Sequence, residues 1–202
     1  MAYKYLLKFL KEILMKNMQD IIKIAQNAND LFDRGKYLEA LSEYFTVLAY
    51  DLNNSISHCN IGITYEMLNE FELAVAFYKK AIRLDETNIR ATNNLARIYI
   101  DVVQDYNIAS QYLDFTIKTD PNDAEAYNIY GNLCLKKNDY KMAEDYFKKS
   151  IFLDEKFFKN YYDLAVAYIG LKDNQKAHEA LERCLALRSD FIPALELQNT
   201  LI

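Results

Sequence analysis

The segment Ser55–Asn88, SISHCNIGITYEMLNEFELAVAFYKKAIRLDETN, reads as two short helices joined by a tight turn. In its first half Ile56, Ile61, Tyr65 and Leu68 recur at helical spacing. Gly62 lies within that helix, where glycine costs roughly 1 kcal/mol against alanine. Close approach of a second helix is the packing reason for it. Asn69-Glu70 then breaks the pattern, and asparagine tolerates turn conformations. In the second half Ala74 is the small partner of Gly62, while Phe71, Tyr78 and Ile82 extend the apolar stripe. One such hairpin cannot bury both of its faces, so it needs neighbours of its own kind.

The neighbours are visible as two ladders of small residues. The Gly62 slot recurs as Ala28, Gly62, Ala96, Gly131 and Ala165, at spacings of 34, 34, 35 and 34. The Ala74 slot recurs as Ala40, Ala74, Ala109, Ala143 and Ala177, at 34, 35, 34 and 34. Both ladders carry the same extra residue, which puts a one-residue insertion between Ala96 and Ala109. The stretch Asp101-Val102-Val103-Gln104-Asp105 is the natural place for it, as a slightly extended turn with a valine partly exposed. The other internal turns are expected at Asp33-Arg34-Gly35, Asn69-Glu70, Lys137-Asn138-Asp139 and Lys172-Asp173-Asn174. Pro121 is expected in the first turn of the helix that follows it. Ser189-Asp190 is expected to cap a last helix that carries Pro193 in its first turn.

On these ladders the chain resembles the tetratricopeptide repeat family. That family's aromatic slot in the first helix is filled by Leu31, Tyr65, Tyr99, Cys134 and Tyr168. Its large residue in the second helix is filled by Tyr44, Tyr78, Leu113, Phe147 and Leu181. The family's tryptophan is absent, its slot being taken by Ile24, His58, Thr92, Tyr127 and Tyr161, and its repeat-end proline survives only as Pro121. The resemblance implies an all-α fold, a right-handed α-solenoid of about five units. These are residues 21–54, 55–88, 89–123, 124–157 and 158–191, with flanking helices at 1–20 and 192–202.

The resemblance also implies a function: a non-enzymatic adaptor holding an extended peptide or a helix of another protein in a concave groove lined by the first helices. The groove residues it singles out here are Asn29, Asn60, Arg90, Asn93, Asn94, Arg97, Asn128, Asn132 and Tyr162. Lys159 and Asp163 fall on the same face. Asn60 and Asn94 occupy one slot of consecutive repeats and are expected to form a ladder. An amide both donates and accepts, so it can pair with a peptide backbone without reading its sequence. Some family members bind a carboxylate tail through a five-residue clamp. Asn29, Asn60 and Arg90 match it, but Ala25 and Asn94 stand where it has basic residues.

Composition narrows the alternatives. A net charge of −5 over 202 residues argues against nucleic-acid binding, which calls for a strongly basic face. Cys59, Cys134 and Cys184 lie far apart, with no CxxC pair, and read as reduced thiols of a cytoplasmic protein. His58 and His178 are the two histidines, and no phosphate loop, HExxH or nucleophile elbow occurs. No catalytic site, cofactor or metal is therefore expected. Residues 1–20, MAYKYLLKFLKEILMKNMQD, form an amphipathic helix too short and too rich in lysine to span a bilayer. Three roles are open to it: a cap on the first repeat, a contact with a second copy (a homodimer) or with a partner protein, or a membrane-surface contact. A structural protein assembled through this helix, and a chaperone-like binder of apolar client segments, are the alternatives to the adaptor.

Overall fold

The computed structural model describes residues 2–201, with side chains from residue 18 onward. All its regular structure is helical. The order is α1 Ala2–Asp33, α2 Tyr37–Tyr50, α3 Ser55–Met67, α4 Phe71–Leu84 and α5 Ile89–Ile98. Then come α6 Tyr106–Thr119, α7 Ala124–Lys136, α8 Tyr140–Leu153, α9 Phe158–Gly170, α10 Asn174–Leu187 and α11 Ile192–Thr200. Consecutive helices pair as antiparallel hairpins, so the fold is an α-solenoid of helix hairpins. Contacts divide the chain into two compact units, Met1–Ala91 and Thr92–Ile202. In the first, α1 packs on α2, α2 on α3 and α3 on α4. In the second, α6 packs on α7 and so on in order to α11, and α7 also touches α9.

Helix α1 is continuous through Asp20-Ile21, where the sequence suggests a division. No glycine or proline interrupts residues 2–33, so nothing breaks the backbone hydrogen-bond ladder there. The amphipathic face assigned to residues 1–20 lies, up to residue 17, outside the described side chains. Among the described residues no helix is long and apolar enough to cross a membrane.

The two ladders are the hairpin crossings. Ala28, Ala40, Ala74, Ala96, Ala109, Ala143, Ala165 and Ala177 are fully buried. At the two glycine crossings the small residue faces the large residue of the partner helix, and the two sizes compensate. Gly62 lies under the Tyr78 ring and Gly131 under the Phe147 ring, and both rings are completely buried. A Cβ on Gly62 would sit 2.7 Å from Tyr78 Cδ1. Where the small residue is alanine, the large one is leucine: Ala96 with Leu113, Ala165 with Leu181, all fully buried. Ala28 with Tyr44 departs from the rule, and there the Tyr44 hydroxyl donates to Asn29 Oδ1 at 2.6 Å.

The hairpin turns share one backbone conformation. Gly35, Asn69, Gln104, Asn138 and Lys172 all have φ between 59° and 74°. They stand at spacings of 34, 35, 34 and 34, a third ladder in register with the other two. Each closes its helix with a left-handed residue, and a carboxylate or polar residue follows to start the next. Asp105, Asp139 and Asp173 accept from the backbone N–H of Ile108, Met142 and Lys176 at 3.1 Å each. Lysine at such a φ is strained by roughly 1–2 kcal/mol, whereas glycine pays about 0.5–1 kcal/mol in chain entropy. Lys172→Gly should therefore stabilise the fold by about 0.5 kcal/mol in a denaturant titration. Asn69→Gly should change little, because asparagine tolerates this conformation.

The insertion is not an extended turn. Residues Tyr99–Val103 form a π-helical segment continuing α5, and Gln104 then makes the same left-handed turn as its counterparts. Ala96 to Gln104 spans eight residues where Gly62 to Asn69 spans seven, so the extra residue sits inside the helix. A single residue added to a helix is accommodated by one widened turn, the usual origin of a π-bulge. Val102 and Val103 are exposed, as the sequence suggests.

Two end signals also resolve differently. Pro121 lies in the turn before α7, and the cap is Asp123. Asp190 accepts from Arg188 Nε at 3.3 Å and leaves α11 without a side-chain cap. Elsewhere the repeat ends are Asx turns: Asp51, Asp85, Asp120 and Asp154 accept from the backbone N–H two residues on.

Candidate functional site

Each unit presents a cavity floored by its first helices. In the first unit a cavity of about 380 Å³ is lined by Asn29, Tyr44, Ile56, Asn60, Ile63 and Arg90, among others. Asn60 is the hinge of its network. Its Nδ2 donates to Asn29 Oδ1 at 3.5 Å, and its Oδ1 accepts from Arg90 Nη1 at 3.3 Å. Burial raises the Tyr44 hydroxyl pKa, with Arg90 acting in the opposite direction. Three of the sequence-nominated residues, Asn29, Asn60 and Arg90, thus meet in one place. They are 30 or 31 positions apart because each lies on the same face of successive first helices.

The larger cavity, about 650 Å³, belongs to the second unit. Its floor comes from α7 and α9, with Arg97, Ile100 and Asp101 contributed by α5 and its π-helical extension. Asn128 and Asn132 stand one turn apart on α7, and Asp163 faces them from α9. Asn128 Nδ2 donates to Asp163 Oδ2 at 2.9 Å and to Asn160 Oδ1 at 2.9 Å. Asn132 Nδ2 donates to Asp163 Oδ2 at 3.4 Å and to Asn128 Oδ1 at 3.2 Å. Ile100, Ile129 and Phe157 supply apolar wall. Around the rim Arg97 pairs with Glu125 at 3.6 Å and Lys136 with Asp101 at 3.2 Å. Asp101 occupies this rim because the π-helical segment carries it there.

Burial pushes the Asp163 carboxyl above the usual carboxylate range. The hydrogen bonds from Asn128 and Asn132 and the charge of Lys159 pull the other way without cancelling it. For an acid whose folded pKa is raised, stability is greatest below the unfolded pKa and is lost as pH rises through the folded one. Asp163→Asn removes that cost while keeping an oxygen for the two amides. The variant should melt higher than the parent at pH 7, and the difference should vanish as pH falls below about 4. Equal melting temperatures at neutral pH would contradict this assignment.

Not every nominated residue belongs to a cavity. Asn93 and Asn94 are 1% and 5% exposed. Asn93 Nδ2 donates to Asp123 Oδ1 at 3.1 Å, and Asn94 Oδ1 accepts from Arg97 Nη2. The open face expected for these two is not observed, since α5 is buried from Ala91 to Ala96. Tyr162 does not line the large cavity. Its ring packs edge-on to Phe191, centroids 5.4 Å apart. Asp163, by contrast, is more central than its sequence suggests, and the signal is its slot, which is that of Asn60 three repeats earlier and of Asn94 two repeats earlier.

Nothing in either cavity is arranged as a nucleophile with its base. Cys59, Cys134 and Cys184 are buried, and burial pushes the Cys134 and Cys184 thiols up to about 11. Neutral thiols of this kind are weak nucleophiles. His58 is buried with Nδ1 2.9 Å from the Asn54 carbonyl oxygen. Among the described residues no group of three or more His, Cys, Asp or Glu is placed to hold a metal ion.

Known proteins share this architecture. The crystal structure of PilW, described as a type IV pilus biogenesis factor, superposes with a TM-score of 0.76 at 17% identity, over 84% of this chain and 78% of that one. YrrB, described as a repeat protein with an unusual peptide-binding site, superposes with a TM-score of 0.62 at 21% identity, over 94% and 97%. At such identities the likeness is one of fold. In sequence, the mouse protein O-mannosyl-transferase TMTC3 is 27% identical over 166 residues, which is 75% of this chain and 18% of that protein. The chain thus spans under a fifth of that relative's length. Models of the tetratricopeptide repeat match residues 55–88, 124–157 and 158–191, half of the sequence. The chain belongs to the tetratricopeptide repeat family.

Proposed function

We propose that this chain is a non-enzymatic adaptor that holds an extended segment of a partner protein in the groove of the second unit. The observation that carries this reading is the Asn128–Asn132–Asp163 cluster on the floor of an open 650 Å³ cavity. Amides and a carboxylate there can meet the N–H and C=O groups of an extended backbone, while Ile100, Ile129 and Phe157 take its apolar side chains. Three buried cysteines far apart in the sequence, with no CxxC pair, support a reducing, cytoplasmic setting.

The test is retention of peptides from a pooled library of acetylated, amidated octapeptides on the immobilised full chain. A subset retained, and displaced by its own free peptides, is expected. A pool that passes through unenriched would sink the reading.

A further inference from the structure

Asp163 is set apart from the other acids of its cavity by its partners. Glu125 and Asp101 are matched by Arg97 and Lys136, and Asp154 closes an Asx turn on the Lys156 N–H. Among the described residues Asp163 accepts hydrogen bonds only from neutral amides, and Lys159, which lines the same cavity and acts on it through its charge, forms no ion pair with it. Both amides donate to the same oxygen, Oδ2, at 2.9 and 3.4 Å, which occupies its two lone pairs. No described nitrogen of lysine, arginine or histidine comes within the 4.0 Å of an ion pair. The other oxygen, Oδ1, takes no hydrogen bond among the described residues, yet it is not sealed in as an orphaned atom. A partly buried carboxylate with no ion pair is a costly arrangement. A cation brought by a ligand would relieve it.

Building on the peptide reading above, we infer that the groove selects a segment carrying a lysine, whose ammonium seats on Asp163 Oδ1. The donor geometry favours lysine over arginine. A guanidinium recognises a carboxylate best as a fork on both oxygens, and here one oxygen is already saturated. An ammonium is a point charge and needs only one. The apolar wall fits the same choice, since Ile100 and Ile129 line the cavity and can cover a four-carbon stem. The rim pairs Arg97–Glu125 and Lys136–Asp101 cancel, and Asp154, Lys159 and Asp163 are the other charged residues of the lining, which leaves it one negative charge in excess.

The test uses the full chain and the octapeptide library, followed by single peptides in which the selected lysine is replaced by arginine or N-acetyl-lysine. Lysine enriched at one position is expected. Acetylation should weaken binding by about ten-fold or more, and arginine should bind measurably less well than lysine. This comparison needs only the unaltered chain. In Asp163→Asn the preference for lysine over N-acetyl-lysine should disappear. Enrichment of peptides with no lysine preference, arginine binding as tightly as lysine, or a preference that survives in Asp163→Asn would each overturn the inference and leave the peptide reading standing. No enrichment at all would overturn the peptide reading and the inference together.

Discussion

Phe147→Ala should destabilise the second unit by about 3–5 kcal/mol, read as a drop in the denaturant midpoint. The ring is completely buried and fills the space above Gly131 between α7 and α8. Truncation leaves a cavity, because the small residues around it cannot reach across. Gly131→Ala should cost about 1–3 kcal/mol from the opposite cause, a Cβ driven into the same ring. The two changes are predicted to be strongly non-additive when the ring is shortened instead of removed. Gly131→Ala with Phe147→Leu recreates the pairing found at Ala165 with Leu181 and at Ala96 with Leu113. That double variant should recover most of what Gly131→Ala loses. Additive penalties in the four-variant cycle would show that crossing size is not what couples these positions.

Asn128→Ala combined with Asn132→Ala should abolish measurable retention of the peptides the full chain selects, a loss of at least ten-fold in affinity. Three of the donor contacts at the groove floor vanish together, and Asp163 loses both amides that hold it. Both asparagines are half-buried and touch the cavity, so the backbone hairpin should survive. A matched change in the first unit, Asn60→Ala, should leave this binding intact. Retention unchanged in the double variant would place the peptide elsewhere.

The hairpins were legible because their signal is steric and periodic. Gly62, Gly131 and the alanine ladders report a helix crossing wherever they stand, and no tertiary context overrides that. The third ladder was only half legible. Gly35, Asn69 and Asn138 announce a left-handed residue, but Gln104 and Lys172 do so only through their register. The insertion was counted correctly and placed in the wrong conformation. An extra residue between Ala96 and Gln104 has the same spacing whether it lengthens a turn or widens a helix, and the hydrogen-bond ladder alone distinguishes them. The burial of Asn93 and Asn94 was not legible because asparagine is polar, whereas α5 is buried through both positions. Asp163 was underrated because its partners, Asn128 and Asn132, lie a repeat away in sequence and only folding brings the three together.

The most direct test is an amide-resolved NMR titration of the full chain with a peptide selected from the library, following the side-chain NH₂ signals of Asn128, Asn132 and Asn60. Saturable shifts at Asn128 and Asn132, with neighbouring shifts at Ile129 and Phe157 and none at Asn60, are the expected result. Saturable shifts that leave Asn128 and Asn132 unmoved would contradict the groove as the binding site.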